Sequence, residues 1–456
     1  MVAIQFACAV AAISVAAALM IRGGLLAGCL LVMLSTTCLG HAFYFLPTYP
    51  VPLTADRALA AGLVLQYIIY RRLGWSEHKP MRPADWLLAA LLAVIVVSTF
   101  THDWKVQNHQ PLSDVLFQFL MPSALYWVAR QSAVSRRQVA WLLGGMAVFG
   151  LYLALTAICE AHGLWKFVYP PYIGDAVKHP EFFGRSRGPL LNPIANGFVM
   201  TACLAAALLH WPRCGRCGQF VIVVTVPIYL IGLSHTMTRS VWLGAAAAAV
   251  VLAAMNLPRA WRWKLVATTG LMAVVLAAAN WERLLAFKRD RNVSAREVAD
   301  SVELRPVLAV VAWNMFLDRP LLGCGFGQYD RQSVYYLADR SSGLVLEKAR
   351  GYVQHNTFLG LLTEVGLVGL SLYVAVLTLW TRDAWRLWNR TDAPLWARQT
   401  GLLFLAAATA YVASALFHDL TLMPAVTMLL FTLSGVVSSL NNQVSQLAVG
   451  PRSVTK

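Results

Sequence analysis

Apolar runs of the length needed to cross roughly 30 Å of hydrocarbon as a helix recur along the chain, at 3–21, 23–46, 55–70, 84–100, 114–129, 139–159, 195–211, 220–237, 240–256, 265–281, 356–380, 400–417 and 424–440. Only Arg22-Gly23-Gly24 separates the first two. The pattern therefore predicts an all-α, polytopic integral membrane bundle of twelve or thirteen helices. The polar joints are mostly short, with two exceptions, 160–194 and 282–354. The second is too long for a simple connection, and its residues near 306–317 read as a short helix lying over the membrane.

Composition agrees with this pattern. Of 456 residues 58% are hydrophobic and 13% charged, against about 25% charged in soluble domains. The net charge of +16 suggests nucleic acid only until its distribution is considered. Arg71, Arg72, Lys79 and Arg82, then Arg130, Arg136 and Arg137, then Arg259, Arg262 and Lys264, then Arg382, Arg386, Arg390 and Arg398 fall in alternate short loops. Lys and Arg collect in this way on the cytoplasmic side of a membrane. No nucleic-acid partner is expected, and membrane lipid is. The opposite, outer face then holds both long loops, and with them Arg185, Arg187, Arg239 and Arg305, where the rule places few cations.

Several other signals carry no chemistry. "LLAGC", ending at Cys29, resembles a lipidation box, but Arg22 leaves too short an apolar run before it. Cys214-Gly-Arg-Cys217 is a lone pair without the second pair a zinc site needs. "GCGFGQ", Gly323 to Gln328, is glycine-rich but follows no strand, which excludes a dinucleotide fingerprint. No cofactor and no metal are expected. Paired halves and broken helices, the marks of many transporters, are not evident.

Ionisable groups inside spans are costly and therefore informative. Glu364 is the clearest, nine residues beyond His355 in "QHNTFLGLLTEVGLVGL" (Gln354 to Leu370). In a continuous helix those nine residues rise about 13.5 Å and make two and a half turns, which puts Glu364 deeper than His355 and on the opposite face. Asn356 is a natural N-cap for that helix. His418-Asp419 is the best rival to His355 as a proton carrier, because an adjacent carboxylate raises imidazole basicity.

Four stretches carry a resemblance. "RSRGPLLNPIANG" (Arg185 to Gly197), "TMTRSVWLG" (Thr236 to Gly244), "RPVLAVVAWNMFLDRPLLGCGFGQY" (Arg305 to Tyr329) and "QHNTFLGLLTEVGLVGL" are similar, in order, to the motifs of the O-antigen ligase and O-antigen polymerase superfamily. The family's Asn-Pro-Asn reads Asn192-Pro193-Ile194 here, with the next asparagine at Asn196. Its Thr-x-Ser-Arg has become Thr236-Met237-Thr238-Arg239. Residues 1–180 match only in hydropathy and span count.

The resemblance implies a GT-C-like bundle with a partly helical periplasmic loop. It implies an enzyme that takes a glycan from an undecaprenyl-pyrophosphate carrier and delivers it to an acceptor hydroxyl. That hydroxyl lies on lipid A-core or another glycan acceptor for a ligase, on a growing chain for an O-antigen or exopolysaccharide polymerase, or on protein Ser/Thr for an oligosaccharyltransferase. Arginine forks onto phosphate oxygens, so Arg305 and Arg239 are expected to stabilise the leaving pyrophosphate, with Arg187 behind them. Histidine titrates near neutrality, so His355 is expected to be the general base. Asn192, Asn196, Asn356 and Glu364 complete the expected substrate-binding set. The expected organisation is an N-terminal bundle (1–180), helices bearing the arginine motifs (181–281), the long loop (282–354), C-terminal spans (355–440) and a cytoplasmic tail (441–456). The aromatic-rich loop from Trp165 to Arg187 reads equally as a sugar-stacking surface and as an interfacial belt.

Overall fold

The computed structural model describes residues 2–40, 42–43, 45–46, 52–76, 78–103, 110–256 and 295–449, with a few isolated positions between 258 and 268. The span expected at 265–281 lies almost wholly outside the described residues. The long helices are α1 (Val2–Cys38), α2 (Ala55–Arg72), α3 (Pro83–Phe100), α4 (Pro111–Gln131), α5 (Arg136–Ala161), α6 (Pro193–His210), α7 (Arg216–His235), α8 (Arg239–Asn256), α9 (Ala295–Asp318), α10 (Thr357–Asn389), α11 (Leu395–Ala415) and α12 (Pro424–Val449). Nine helices among the described residues are long and apolar enough to cross a membrane. The protein is a multi-pass, all-α membrane protein.

Local chemistry starts these helices where the sequence turns from polar to apolar. Ser135 and Gln138 form a reciprocal capping box at α5, which satisfies two orphan amides. Asn192 accepts from the Ile194 and Ala195 amides at α6, with Pro193 as its first residue. Asn356 accepts from the Leu359 amide at α10. α12 runs through the centre of the bundle. At Gly435 a Cβ would lie 2.4 Å from the Tyr126 carbonyl of α4, so only glycine allows the two backbones to approach so closely.

The basic loops meet at one end. Lys79 Nζ donates to the Arg130 and Ser132 carbonyls and to Ser439 Oγ, Arg130 pairs with Asp85 at 2.7 Å, and Arg82 approaches Asp383. Trp75, Trp86, Trp141 and Trp385 are exposed near this end, as amphipathic rings at a headgroup boundary would be.

The joint expected between the runs 3–21 and 23–46 is present, since α1 breaks at Gly24 (φ 73°, ψ −172°), and its second part ends at Cys38 rather than 46. Two expectations are corrected. α9 begins at Ala295 rather than near 306, so Pro306 lies inside it. α10 is also broken, at Gly366 (φ 67°, ψ −167°).

The second break explains the glycine-rich stretch. An interrupted helix leaves carbonyls and amides without partners, a large cost inside a bilayer. Here the Cys324 and Gly325 amides donate to the Thr363 and Glu364 carbonyls at 2.9 and 3.0 Å. The Leu367 and Val368 amides in turn donate to the Pro320 and Leu321 carbonyls at 2.8 and 3.2 Å. A Cβ at Gly323 would sit 2.4 Å from the Glu364 carbonyl carbon, and one at Gly366 2.3 Å from the Leu321 oxygen. "PLLGCG" is thus a backbone plug, and α10 reads as a continuous span in sequence only because its missing bonds come from elsewhere in the chain.

Candidate functional site

At the end of the bundle opposite the basic loops, three of the expected residues converge on one turn, 414–421. Ser414 Oγ donates to the Ser240 carbonyl, which brings the first residues of α8, and so Arg239, against the end of α11. The Arg305 guanidinium lies over the Phe417 ring, 5.5 Å from its centroid. The strap carrying His355 is tied to the same turn. Asn356 Nδ2 donates to the Leu416 carbonyl at 2.9 Å, Thr357 Oγ1 donates to the His418 carbonyl at 3.0 Å, and Thr357 Oγ1 accepts from the Leu420 amide at 2.8 Å.

His355 and Arg239 are each partly exposed. The Arg239 Nε is buried and, among the described residues, meets no acceptor. His355 has φ +47°, a left-handed backbone that is costly for a side-chain-bearing residue, though histidine tolerates it better than most. The other non-glycine residues with positive φ among those described are Phe182, Leu191 and Met237. Each lies in or beside one of the four sequence stretches, and strain of this kind concentrates at functional sites. His355 precedes α10 rather than lying on it, so the helical arithmetic relating it to Glu364 does not apply. Glu364 stands two residues before the break, with its carbonyl in the plug.

The loop before α6 holds arginines of a different kind. Arg187 is 1% exposed and its guanidinium donates to the His179, Glu181 and Ile173 carbonyls above the Phe183 ring. Burial pulls its pKa below the ordinary value, and the Glu160 charge opposes that pull. Those bonds fix the 173–187 loop and bury both Nη atoms in it. Arg185 clamps the next motif, with Nε on the Thr236 carbonyl and Nη2 on Thr238 Oγ1, and so positions the turn that launches Arg239. Asn192 is spent on its helix cap. Asn196 is fully buried, donates to the Ser186 carbonyl at 3.3 Å and packs beneath Gly188. Both asparagines shape the scaffold. Asn356 likewise uses both ends of its carboxamide to fix the His355 strap.

Glu160 was missed by sequence reasoning. Its carboxylate accepts from the Arg187 and Gly188 amides at 3.1 and 2.9 Å, and its place at the edge of an apolar run was the available signal. Asp419 is buried, and its carboxylate accepts from the Thr421 amide and hydroxyl with Gln354 Nε2 at 3.5 Å. It therefore anchors its own turn. Burial pushes its pKa up to about 6, against the lowering effect of the Thr421 bonds. In the aromatic loop, Trp165 already stacks on Phe183 at 5.5 Å, while Phe167 and Tyr169 remain exposed. No group of three or more His, Cys, Asp or Glu able to hold a metal occurs among the described residues.

Residues 224–374 match the family model described as O-antigen ligase. The match contains the second, third and fourth sequence stretches, the plug and the His355 strap, and leaves the Arg185–Gly197 stretch outside. No curated protein matches the chain. The matched segment, on an all-α multi-pass bundle, gives the chain a likeness to the O-antigen ligase superfamily over residues 224–374.

Proposed function

We propose that the protein is a glycosyltransferase that moves a glycan from an undecaprenyl-pyrophosphate carrier to an acceptor hydroxyl, lipid A-core in the ligase-like reading, at the periplasmic side of the bacterial inner membrane. The observation that carries this reading is the convergence of Arg239, Arg305 and His355 on the turn 414–421. Cleavage of a sugar–pyrophosphate bond builds negative charge on the leaving phosphate. Guanidinium groups fixed in advance, away from bulk water, stabilise that charge as it develops. Arg239, whose buried Nε meets no acceptor among the described residues, and Arg305 take this role.

His355 takes the proton of the attacking hydroxyl. Asn356 and Thr357 hold the strap so that the imidazole need not be ordered at the moment of reaction, which is the advantage of positioned general bases. Arg185, Arg187, Glu160 and Asn196 act through the loop they hold. One base and two phosphate-binding cations suit direct displacement, with inversion at the anomeric carbon and no divalent metal. Transport is disfavoured by the plug, since the carbonyls freed at the α10 break accept from Cys324 and Gly325 and do not line an ion path.

The test is transfer from a defined lipid-pyrophosphate glycan to lipid A-core by protein in nanodiscs. His355→Ala should lower the rate by about 10²–10⁴-fold, and Arg239→Ala by about 10²–10³-fold, with the fold retained. A His355→Ala protein that transfers at the wild-type rate would sink the catalytic assignment.

A further inference from the structure

The same end of the bundle contains a second concavity, on the other side of the 414–424 turn. It is a cavity of about 490 Å³ between the end of α1, the starts of α2, α4 and α12, and the loop before α6. That volume lies within the roughly 300–1,000 Å³ of small-ligand pockets. Its polar lining includes Asp56, Arg57, Asp114, Gln118 and His179, with the hydroxyls of Thr36, Ser113 and Tyr172.

Gln118 is the informative residue. It is 6% exposed, lines the cavity, and its carboxamide has no hydrogen-bond partner among the described residues. With no protein partner among them and a place on the cavity wall, that carboxamide is available to donate to and accept from a ligand. It is carried on the π-helical turn Val115–Leu120 of α4, a distortion that is rare and frequent at functional sites.

The lining also selects among ligands. The wall carries two carboxylates and one guanidinium; Asp56 already accepts from the Thr36 and Thr54 hydroxyls, and the guanidinium lies over the Phe117 ring at 3.5 Å and donates to the Pro52 carbonyl. A pyrophosphate is poorly served by such a wall. A hydroxyl-rich ligand is well served, because carboxylates accept from hydroxyls and a carboxamide both donates and accepts.

The cavity and the arginine–histidine site share a wall. Leu422 and Pro424 line the cavity, and the His418 carbonyl four residues earlier binds Thr357 of the His355 strap. Four residues reach at most about 14 Å, so a short oligosaccharide spans the distance.

We propose that this cavity is the glycan-binding subsite for the acceptor, with Gln118 as a specificity-determining contact. The proposal rests on the glycosyltransferase reading and assigns its neutral, hydroxyl-rich portion to a place apart from the pyrophosphate arginines. The test uses His355→Ala protein in nanodiscs, which holds both substrates without turnover. The probes are deacylated core oligosaccharide, followed by saturation-transfer NMR, and the lipid-pyrophosphate donor, followed by equilibrium binding. Adding Gln118→Leu should weaken oligosaccharide binding roughly tenfold, the worth of one to two hydrogen bonds, and leave donor binding unchanged. In the active enzyme the same change should raise the acceptor KM and not the donor KM. Ser113→Trp, which fills the cavity from the first turn of α4, should give the same pattern, and covers the case in which Gln118→Leu fails to fold. Absence of oligosaccharide binding, equal binding by both cavity variants, or loss of donor binding instead overturns the proposal. Weakened oligosaccharide binding together with full transfer by His355→Ala would overturn the catalytic assignment and leave the subsite standing.

Discussion

Replacing Gly323 by alanine tests whether the plug holds the broken helix together. Gly323 has φ +71°, and its added Cβ would lie 2.4 Å from the Glu364 carbonyl carbon, 2.5 Å from the Glu364 oxygen and 2.7 Å from the Gly366 nitrogen. All three are backbone atoms, so no rotamer change relieves the contact. The left-handed conformation alone costs an alanine about 1–2 kcal/mol. If the plug withdraws, four backbone hydrogen bonds are lost at about 1 kcal/mol each. Gly343 supplies the control, because its φ is +69° and nothing lies within 4 Å of its Cβ position. Gly343→Ala therefore carries the conformational cost without the contact. The difference between the variants, about 3–4 kcal/mol, corresponds to roughly a hundredfold or more in local opening. Hydrogen exchange at the amides of Cys324, Gly325, Leu367 and Val368 reads that opening directly. Exchange should quicken at these four amides in Gly323→Ala and stay near wild type in Gly343→Ala. Equal protection in the two variants would refute the reasoning.

Other substitutions separate scaffold from chemistry. Arg187→Ala removes three carbonyl contacts and should lower thermal stability and expose the 173–187 loop to protease, whereas Arg239→Ala should reduce transfer with the melting temperature unchanged. Glu160→Gln, which keeps shape but loses charge beneath two amides, should resemble Arg187→Ala in milder form. Asp419 binds its proton more tightly when folded, since its pKa rises from 3.8 to about 6. The unfolded chain therefore releases that proton first, and stability should fall as pH rises from about 4 to 6 and level off above. Asp419→Asn should flatten that slope in a melting series, and an unchanged slope would show that Asp419 does not titrate there. Transfer should persist in excess chelator, and loss of activity restored by a divalent metal would contradict the metal-free mechanism.

The sequence by itself determined the class of solvent, the recurrence of helices, their alternation between two ends and the identity of three residues that gather at the candidate site. These follow from local rules. Apolar runs of a given length must be helical in lipid, because every backbone group must find a partner. Basic loops mark one side, and Asn356 caps the helix it precedes. What only the tertiary structure decided concerns partners far apart in the chain. Arg185 and Arg187 are two residues apart in one motif, yet one clamps the Thr238 turn and the other is consumed by its own loop, because guanidinium groups bond to whichever carbonyls the fold presents. "PLLGCG" and Gly366 are about forty residues apart, and neither has a meaning without the other, since the bonds missing from the broken helix are those the plug supplies. Gln118 lay unremarked within an apolar run until α1, α2, α12 and the loop before α6 closed around it. Its availability to a ligand, and therefore its significance, arises only where the fold forms the cavity wall.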